Sequence, residues 1–269
     1  MIKTNFHTHT IYCDGKDTPE ALVISAIEKG FSAIGFSGHS YFEIDKSYSM
    51  NAESEKMYFS DILSLKSKYK DKIEIFCGIE QDFYSAPSKY QYDYKIGSVH
   101  NICKDGEYLV VDGSIAELND ILNRYYGGEF DLFAKDYFSI VCDVVEKTNA
   151  DIIGHFDLIL KNQDRIHYTP TSRFYSYAEE TVYKLLRCNK PFEINTGAMA
   201  RGYRKTPYPD RKILKLIYDG GGNIIFSSDC HSKEYLDFGF EYAKKIAIET
   251  GFVCQGVITK NGIKYIDIE

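Results

Sequence analysis

The stretches of this sequence that read as β-strands all stop at a histidine, a carboxylate or an amide. Short runs rich in β-branched and aromatic residues fall at 2–6, 33–36, 73–77, 94–99, 151–154, 192–195 and 223–227. His7 and His9 close the first, His39 follows the second, Glu80 the third, His100 the fourth and His155 the fifth. Asn195 ends the sixth, and Asp229 with His231 follows the seventh. Helix-like patterns fill most of the gaps, at 19–29, 54–69, a pair within 115–148, 172–188, 210–219 and 234–250. This alternation predicts βα units around a parallel sheet. An open sheet of that kind gathers its functional groups at one switch point. Polar groups from every strand end can meet only if the ends converge, and convergence means a barrel with its site at the C-terminal rim. The expectation is therefore an α/β fold, a distorted (β/α)7 TIM-like barrel. A C-terminal hairpin of 253–258 and 263–268 should follow, turning at Lys260-Asn261-Gly262. No linker, charge run or repeat interrupts the 269 residues, so residues 1–269 are expected to form a single domain.

Charge narrows the partners. The 32 basic and 39 acidic residues leave a formal charge of −7, and no block of Lys or Arg makes the clustered basic face that a nucleic-acid backbone requires. A small anion held by a local positive centre remains compatible with that balance. The seven cysteines are odd in number and contain no Cys-x-x-Cys pair. With an N-terminus lacking an apolar signal core, they lead us to expect a reducing, cytoplasmic setting. No apolar run approaches the ~18 residues of a membrane span, so no membrane association is expected.

Residues two apart on a strand point the same way, so His7 and His9 can reach one ion. Asp229 and His231 repeat that geometry with a carboxylate. Six of the seven histidines sit just past a predicted strand; His167, in a polar loop, is read as a surface residue. Imidazole and carboxylate groups without a thiolate set suit Zn²⁺, Mn²⁺ or Fe²⁺ rather than a structural zinc knot. His7, His9, His39, Glu80, His100, His155, Asp229 and His231, with Asp14, exceed the roughly three protein ligands of one catalytic ion. Two or three divalent transition metal ions are expected, with Glu80 able to bridge two of them.

His7-x-His9-Thr10 with Asp14-Gly15, Gly38-His39, Gly78-Ile79-Glu80, Gly97-Ser98-Val99-His100, Gly154-His155-Phe156-Asp157, Glu193-Ile194-Asn195-Thr196 and Ser227-Ser228-Asp229-Cys230-His231 resemble, in order, the motifs of the polymerase-and-histidinol-phosphatase (PHP) superfamily. Within it, Gly154-His155-Phe156-Asp157-Leu158-Ile159 and Glu193-Ile194-Asn195-Thr196, with Tyr208-Pro209 beyond, are similar to the monofunctional histidinol-phosphate phosphatases. The resemblance runs from residue 7 to 231. It implies a seven-stranded barrel with a trinuclear metal centre that hydrolyses phosphoesters. It places one ion on His7, His9, Glu80 and Asp229, a second on Glu80, His100 and His155, and a third on His39, His231 and Asp14. The implied reaction converts L-histidinol phosphate to L-histidinol and phosphate, in histidine biosynthesis, through attack of a metal-bridging hydroxide on phosphorus. A nuclease or nucleotide phosphoesterase built on the same centre is the alternative, and a non-enzymatic metal-binding module is a more distant one.

Roles for the remaining groups follow from charge. Glu80 and Asp229 are expected to serve catalysis as ligands, and Asp157 could act as acid toward the leaving group. A guanidinium can take two phosphate oxygens at once. Arginine is scarce, so Arg201 and Arg204, just after the sixth strand, are the expected phosphate-binding cations, with Asn195 as a further substrate contact. The imidazole and amine of the expected substrate call for an acidic or aromatic wall that the sequence does not place.

Overall fold

In a computed structural model, residues 2–268 are described. The elements run β1 (Thr4–Asn5), α1 (Pro19–Glu28), β2 (Ala33–Phe36), α2 (Ala52–Lys68), β3 (Glu74–Asp82), β4 (Tyr94–Ser98), β5 (Asn101–Lys104), β6 (Glu107–Val110), α3 (Ile115–Tyr126), α4 (Phe130–Val141), α5 (Val144–Thr148), β7 (Ile152–Ile153), α6 (Ser172–Leu186), β8 (Phe192–Asn195), α7 (Gly197–Ala200), α8 (Arg211–Asp219), β9 (Ile224–Ser227), α9 (Phe240–Thr250), β10 (Cys254–Thr259) and β11 (Gly262–Asp267). Seven strands form one sheet in the order β1-β2-β3-β4-β7-β8-β9, every neighbouring pair parallel. The last strand meets the first only beyond their ends. The His9 N–H donates to the Cys230 carbonyl at 2.9 Å and the Cys230 N–H to the His7 carbonyl at 3.2 Å. The expected seven-stranded barrel thus closes, nearly, through the residues that follow β1 and β9. Among the described residues no helix is long and apolar enough to cross a membrane.

β2, β8 and β9 are buried at every position, as strands covered on both faces must be. Phe6, Phe76, Tyr94, Ile96, Ile152 and Ile225 pack as one cluster, to which the terminal hairpin adds Val257 and Ile258. Tyr94 is its polar anchor: its hydroxyl is 2.5 Å from the Phe6 carbonyl and 2.9 Å from that of Phe36, tying β4 to the first two strands. The ring fits because Gly35 and Gly78 carry no side chain. A Cβ on Gly78 would overlap the Tyr94 ring carbons. Gly78→Ala is therefore expected to destabilise the fold by about 3 kcal/mol through overpacking. Equilibrium urea denaturation checks this, and a midpoint equal to that of the unsubstituted protein would refute it.

Three departures from the expected elements bear on the site. β3 does not stop near residue 77 but continues to Asp82, so Glu80 lies within a strand, hydrogen-bonded to its neighbours. β5 and β6 form an antiparallel ribbon that the sequence reading passed over. Its turn is Asp105-Gly106, both left-handed at φ 52° and 83°, the two-residue geometry that matches strand twist. α9 begins at Phe240 rather than near 234, because Gly239 at φ 74° interrupts the helical path. The hairpin is present with Ile258 facing Ile263, as the expected strands imply, and one further pair, Thr259 with Gly262, shortens the turn to Lys260-Asn261.

Candidate active site

The barrel gathers the strand-end groups at one rim. Parallel alignment fixes their relative heights: His39 is bridged to Glu80, and Thr8, between His7 and His9, is bridged to Cys230, between Asp229 and His231. Asp229 takes a left-handed backbone, φ 46°, a conformation that costs a non-glycine residue energy and that the surroundings must hold. The Arg201 guanidinium supplies part of that hold, donating to the Asp229 carbonyl and to its Oδ2, each at 3.1 Å.

Glu80 is the hub. Its Oε1 lies 2.9 Å from His155 Nε2 and 3.4 Å from His100 Nε2, and its Oε2 lies 2.9 Å from His39 Nδ1 and 3.2 Å from His7 Nε2. Asp229 Oδ1 stands 3.2 Å from His9 Nε2 and 3.7 Å from His7 Nε2. Asp14 completes the outer end, its Oδ2 3.0 Å from His231 Nε2 and its Oδ1 3.6 Å from both His9 Nδ1 and His39 Nε2. Three sets of ligand atoms lie close enough for one ion each: His7, His9 and Asp229; His39, Glu80 and His100; and His9, Asp14, His39 and His231. His9 and His39 belong to two sets each.

Buried polar atoms are nearly always hydrogen-bonded. Here His7 Nε2, His9 Nε2 and Glu80 Oε2 are buried without a hydrogen-bond partner. Unpaired atoms from two strands converging in one place, all nitrogen or oxygen, fit divalent cations of intermediate softness. Electrostatics agree. Burial alone would raise the pKa of Glu80, but His39, His7 and His100 hold it well below the usual carboxylate range. Burial likewise works against the charged form of Asp229, and Arg201 with His7 and His9 overcomes it. Burial, reinforced by His231 and His39, pushes His9 down to about 3, which keeps its ring neutral and able to donate lone pairs.

A family model described as "PHP domain" matches residues 5–197. The chain belongs to the PHP domain family. Among curated relatives, it is 25% identical over 279 residues to a probable histidinol-phosphatase of Schizosaccharomyces pombe, covering 94% of this chain and 89% of that one. It is 26% identical over 267 residues to the histidinol-phosphatase of Lactococcus lactis, covering 94% and 93%. Among solved structures, histidinol phosphate phosphatase from L. lactis, complexed with Zn, L-histidinol and phosphate, superposes with a TM-score of 0.72 at 23% identity over 98% of this chain and 99% of that one. That likeness shows the shared barrel.

The PHP centre opens into a cleft of about 270 Å³. Asp14, His39, Glu80, His100, His155, Asp229 and His231 reach it, and so does Arg201. Three residues expected to act on substrate do not line it. Arg204 is buried, its guanidinium spent on the carbonyls of Leu160 at 3.2 Å and Thr206 at 3.3 Å and stacked 4.7 Å over the Tyr208 ring. Asp157 is fully buried and accepts the Asp210 N–H at 2.8 Å; with no solvent, its pKa is pushed up to about 6. Asn195 lies beneath the ligands and donates to Glu193 Oε2 at 2.9 Å and Asp229 Oδ2 at 3.4 Å. All three brace the rim of the PHP barrel.

Other residues went unassigned in the sequence. Asp45, Tyr48 and Asp112 also line the cleft, with Lys161 beside Asp112, its Nζ 3.1 Å from Oδ2. Tyr48 sits edge-on to His39, ring centroids 4.9 Å apart, and its buried hydroxyl has no partner. Asp112 follows the ribbon of β5 and β6, and the Asp105-Gly106 pair was the signal that could have revealed it. Asp82 and Glu193 hold the second nitrogens of His100 and His7, at 3.1 Å and 2.5 Å. The cue to Glu193 was a charged residue inside an otherwise apolar strand, a kind almost never buried without a partner.

Proposed function

We propose that this PHP protein is a metal-dependent phosphomonoesterase that hydrolyses L-histidinol phosphate to L-histidinol and phosphate. The observation that carries this reading is the mixed lining of the cleft. It joins an arginine and a cluster suited to cations with Asp45, Asp112 and the unpaired Tyr48 hydroxyl. That pattern fits a compact molecule that is anionic at one end and cationic at the other, as a phosphorylated amino alcohol bearing an imidazole is. The names of the curated relatives, and the zinc, histidinol and phosphate in the L. lactis structure, support the same substrate and a zinc-like ion, and the three ligand sets of this chain support two or three such ions. We place the enzyme in the cytoplasm, working as one unit of residues 1–269.

His7, His9, Glu80 and Asp229 would hold one ion, Glu80, His100 and His155 a second, and His39, His231 and Asp14 a third, with His39 also close enough to Glu80 to join the second. Such ions neutralise phosphoryl charge and make water a nucleophile near neutral pH. The chain's own groups do the rest. Arg201 holds Asp229 in place through both terminal nitrogens and turns its remaining N–H groups and its charge to the phosphoryl oxygens. Asp45 and Asp112 attract the ammonium and imidazole, and Tyr48 donates to or accepts from them, so that the ester bond faces the ligand cluster. Asp45 and Asp112 set negative charge among the lining of the cleft, which disfavours the nuclease reading.

A panel of histidinol phosphate, p-nitrophenyl phosphate, a 5′-nucleotide and single-stranded DNA tests the assignment. Histidinol phosphate should turn over at least about 10²-fold faster in kcat/KM than the others, the scale at which several oriented polar contacts discriminate. Activity should vanish on chelation and return with Zn²⁺ or Mn²⁺. Equal turnover of the monoesters would reject the substrate while leaving the metal centre standing.

A further inference from the structure

Glu193, at the centre of β8, is wholly buried, and every polar neighbour it has is a donor. Its Oε1 accepts from His7 Nδ1 at 2.5 Å and from the Ser227 hydroxyl. Its Oε2 accepts the backbone N–H of His155 at 2.8 Å and the Asn195 side-chain amide at 2.9 Å. A carboxylate that takes the Nδ1–H of an imidazole leaves the lone pair on Nε2. His7 Nε2 is the atom that is buried without a partner beside Glu80 and Asp229. The other oxygen grips the backbone of His155, whose ring approaches the opposite face of Glu80. One side chain thus reaches toward ligands from β1 and β7, on two sides of the hub.

We propose that Glu193 is a positioning residue of the metal centre, which fixes the His7 tautomer and ties the His7 and His155 ligand sets into one unit. The inference rests on the reading of the histidine cluster as a metal centre and not on the identity of the substrate. Glutamine cannot replace this residue. Its amide –NH₂ must face either the His155 N–H, a clash of donors, or His7 Nδ1. In the second case the ring proton moves to Nε2 and the ligand lone pair is lost.

The test measures zinc affinity by chelator competition and metal stoichiometry in the full chain and in Glu193→Gln and Glu193→Asp, with circular dichroism as the check on folding. Long-range ¹H–¹⁵N spectra of the zinc-loaded, histidine-labelled unsubstituted protein report the tautomer. Glu193→Gln should bind zinc about 10- to 100-fold more weakly, as is usual for loss of a ligand's supporting carboxylate. Glu193→Asp, which keeps four acceptor lone pairs, should recover part of that loss. The spectra should show His7 protonated at Nδ1. A folded Glu193→Gln protein with unchanged zinc affinity would overturn the proposal. Should that variant fail to fold, His7 protonated at Nε2 in the zinc-loaded parent would overturn it on its own. Turnover of histidinol phosphate enters neither readout, so the substrate reading can fail separately.

Discussion

Glu80→Gln is expected to lower kcat for phosphate release by at least about 10³-fold, the scale of losing a central electrostatic group, and to reduce the metal bound per chain. The substitution keeps shape and removes charge. Glu80 is only 1% exposed, and four imidazoles face its two oxygens at 2.9–3.4 Å. An amide presents a donor to two of those rings and cannot bridge two cations. The loss should therefore appear in metal content and in rate together, measured by elemental analysis and phosphate release on one sample. A variant with full metal and near-normal rate would show that the cluster does not depend on this carboxylate, and the site as built here would be wrong.

Arg201→Ala is the second large effect. Among the arginines expected after the sixth strand it alone reaches the cleft, and it holds both the backbone and the Oδ2 of Asp229. Its removal should cost about 10²–10³-fold in kcat/KM, corresponding to roughly 3–4 kcal/mol for loss of a cation facing the phosphoryl group together with the two-pronged hold on Asp229. Arg201→Lys should recover only part of this, because an ammonium is a point charge and cannot reproduce the fork. Steady-state kinetics on both variants check the expectation. A lysine variant equal to the parent would mean that only charge is needed, and an unchanged alanine variant would remove Arg201 from the mechanism.

The sequence carried the barrel and the ligand cluster because both are written in local signals. A histidine at the end of an apolar run is visible without knowing which runs are neighbours, and parallel pairing then brings His39 to Glu80 and His9 to Cys230. What lay outside local signals was orientation. Arg201 and Arg204 are three residues apart in one loop, yet one faces the cleft and the other is buried against Leu160 and Tyr208. Nothing in their spacing separates them. Asp157 was attractive because it follows His155 by two, but the chain turns there into a short 3₁₀ segment and the carboxylate points to the Asp210 backbone. Asp45 and Asp112 were hidden for a further reason: they come from segments that meet at the cleft only once the barrel and its β5–β6 ribbon have formed.

The barrel's closure has a thermodynamic consequence. β1 is two residues long, and the first and last strands are joined by a short stretch of backbone pairing around Thr8 and Cys230 and by the Asn5 side chain's bonds to Ser228. The side chains on either side of that clasp are His7, His9, Asp229 and His231. A cation shared among them is bound only when the clasp is shut, so its binding free energy adds to the stability of the closed form by linkage, about 2.7 kcal/mol for an ion present at a hundred times its dissociation constant. On the proposed function, the supply of metal in the surroundings would then set how often this seam opens as well as whether the enzyme turns over, and the same residues would serve as ion ligands and as fastener.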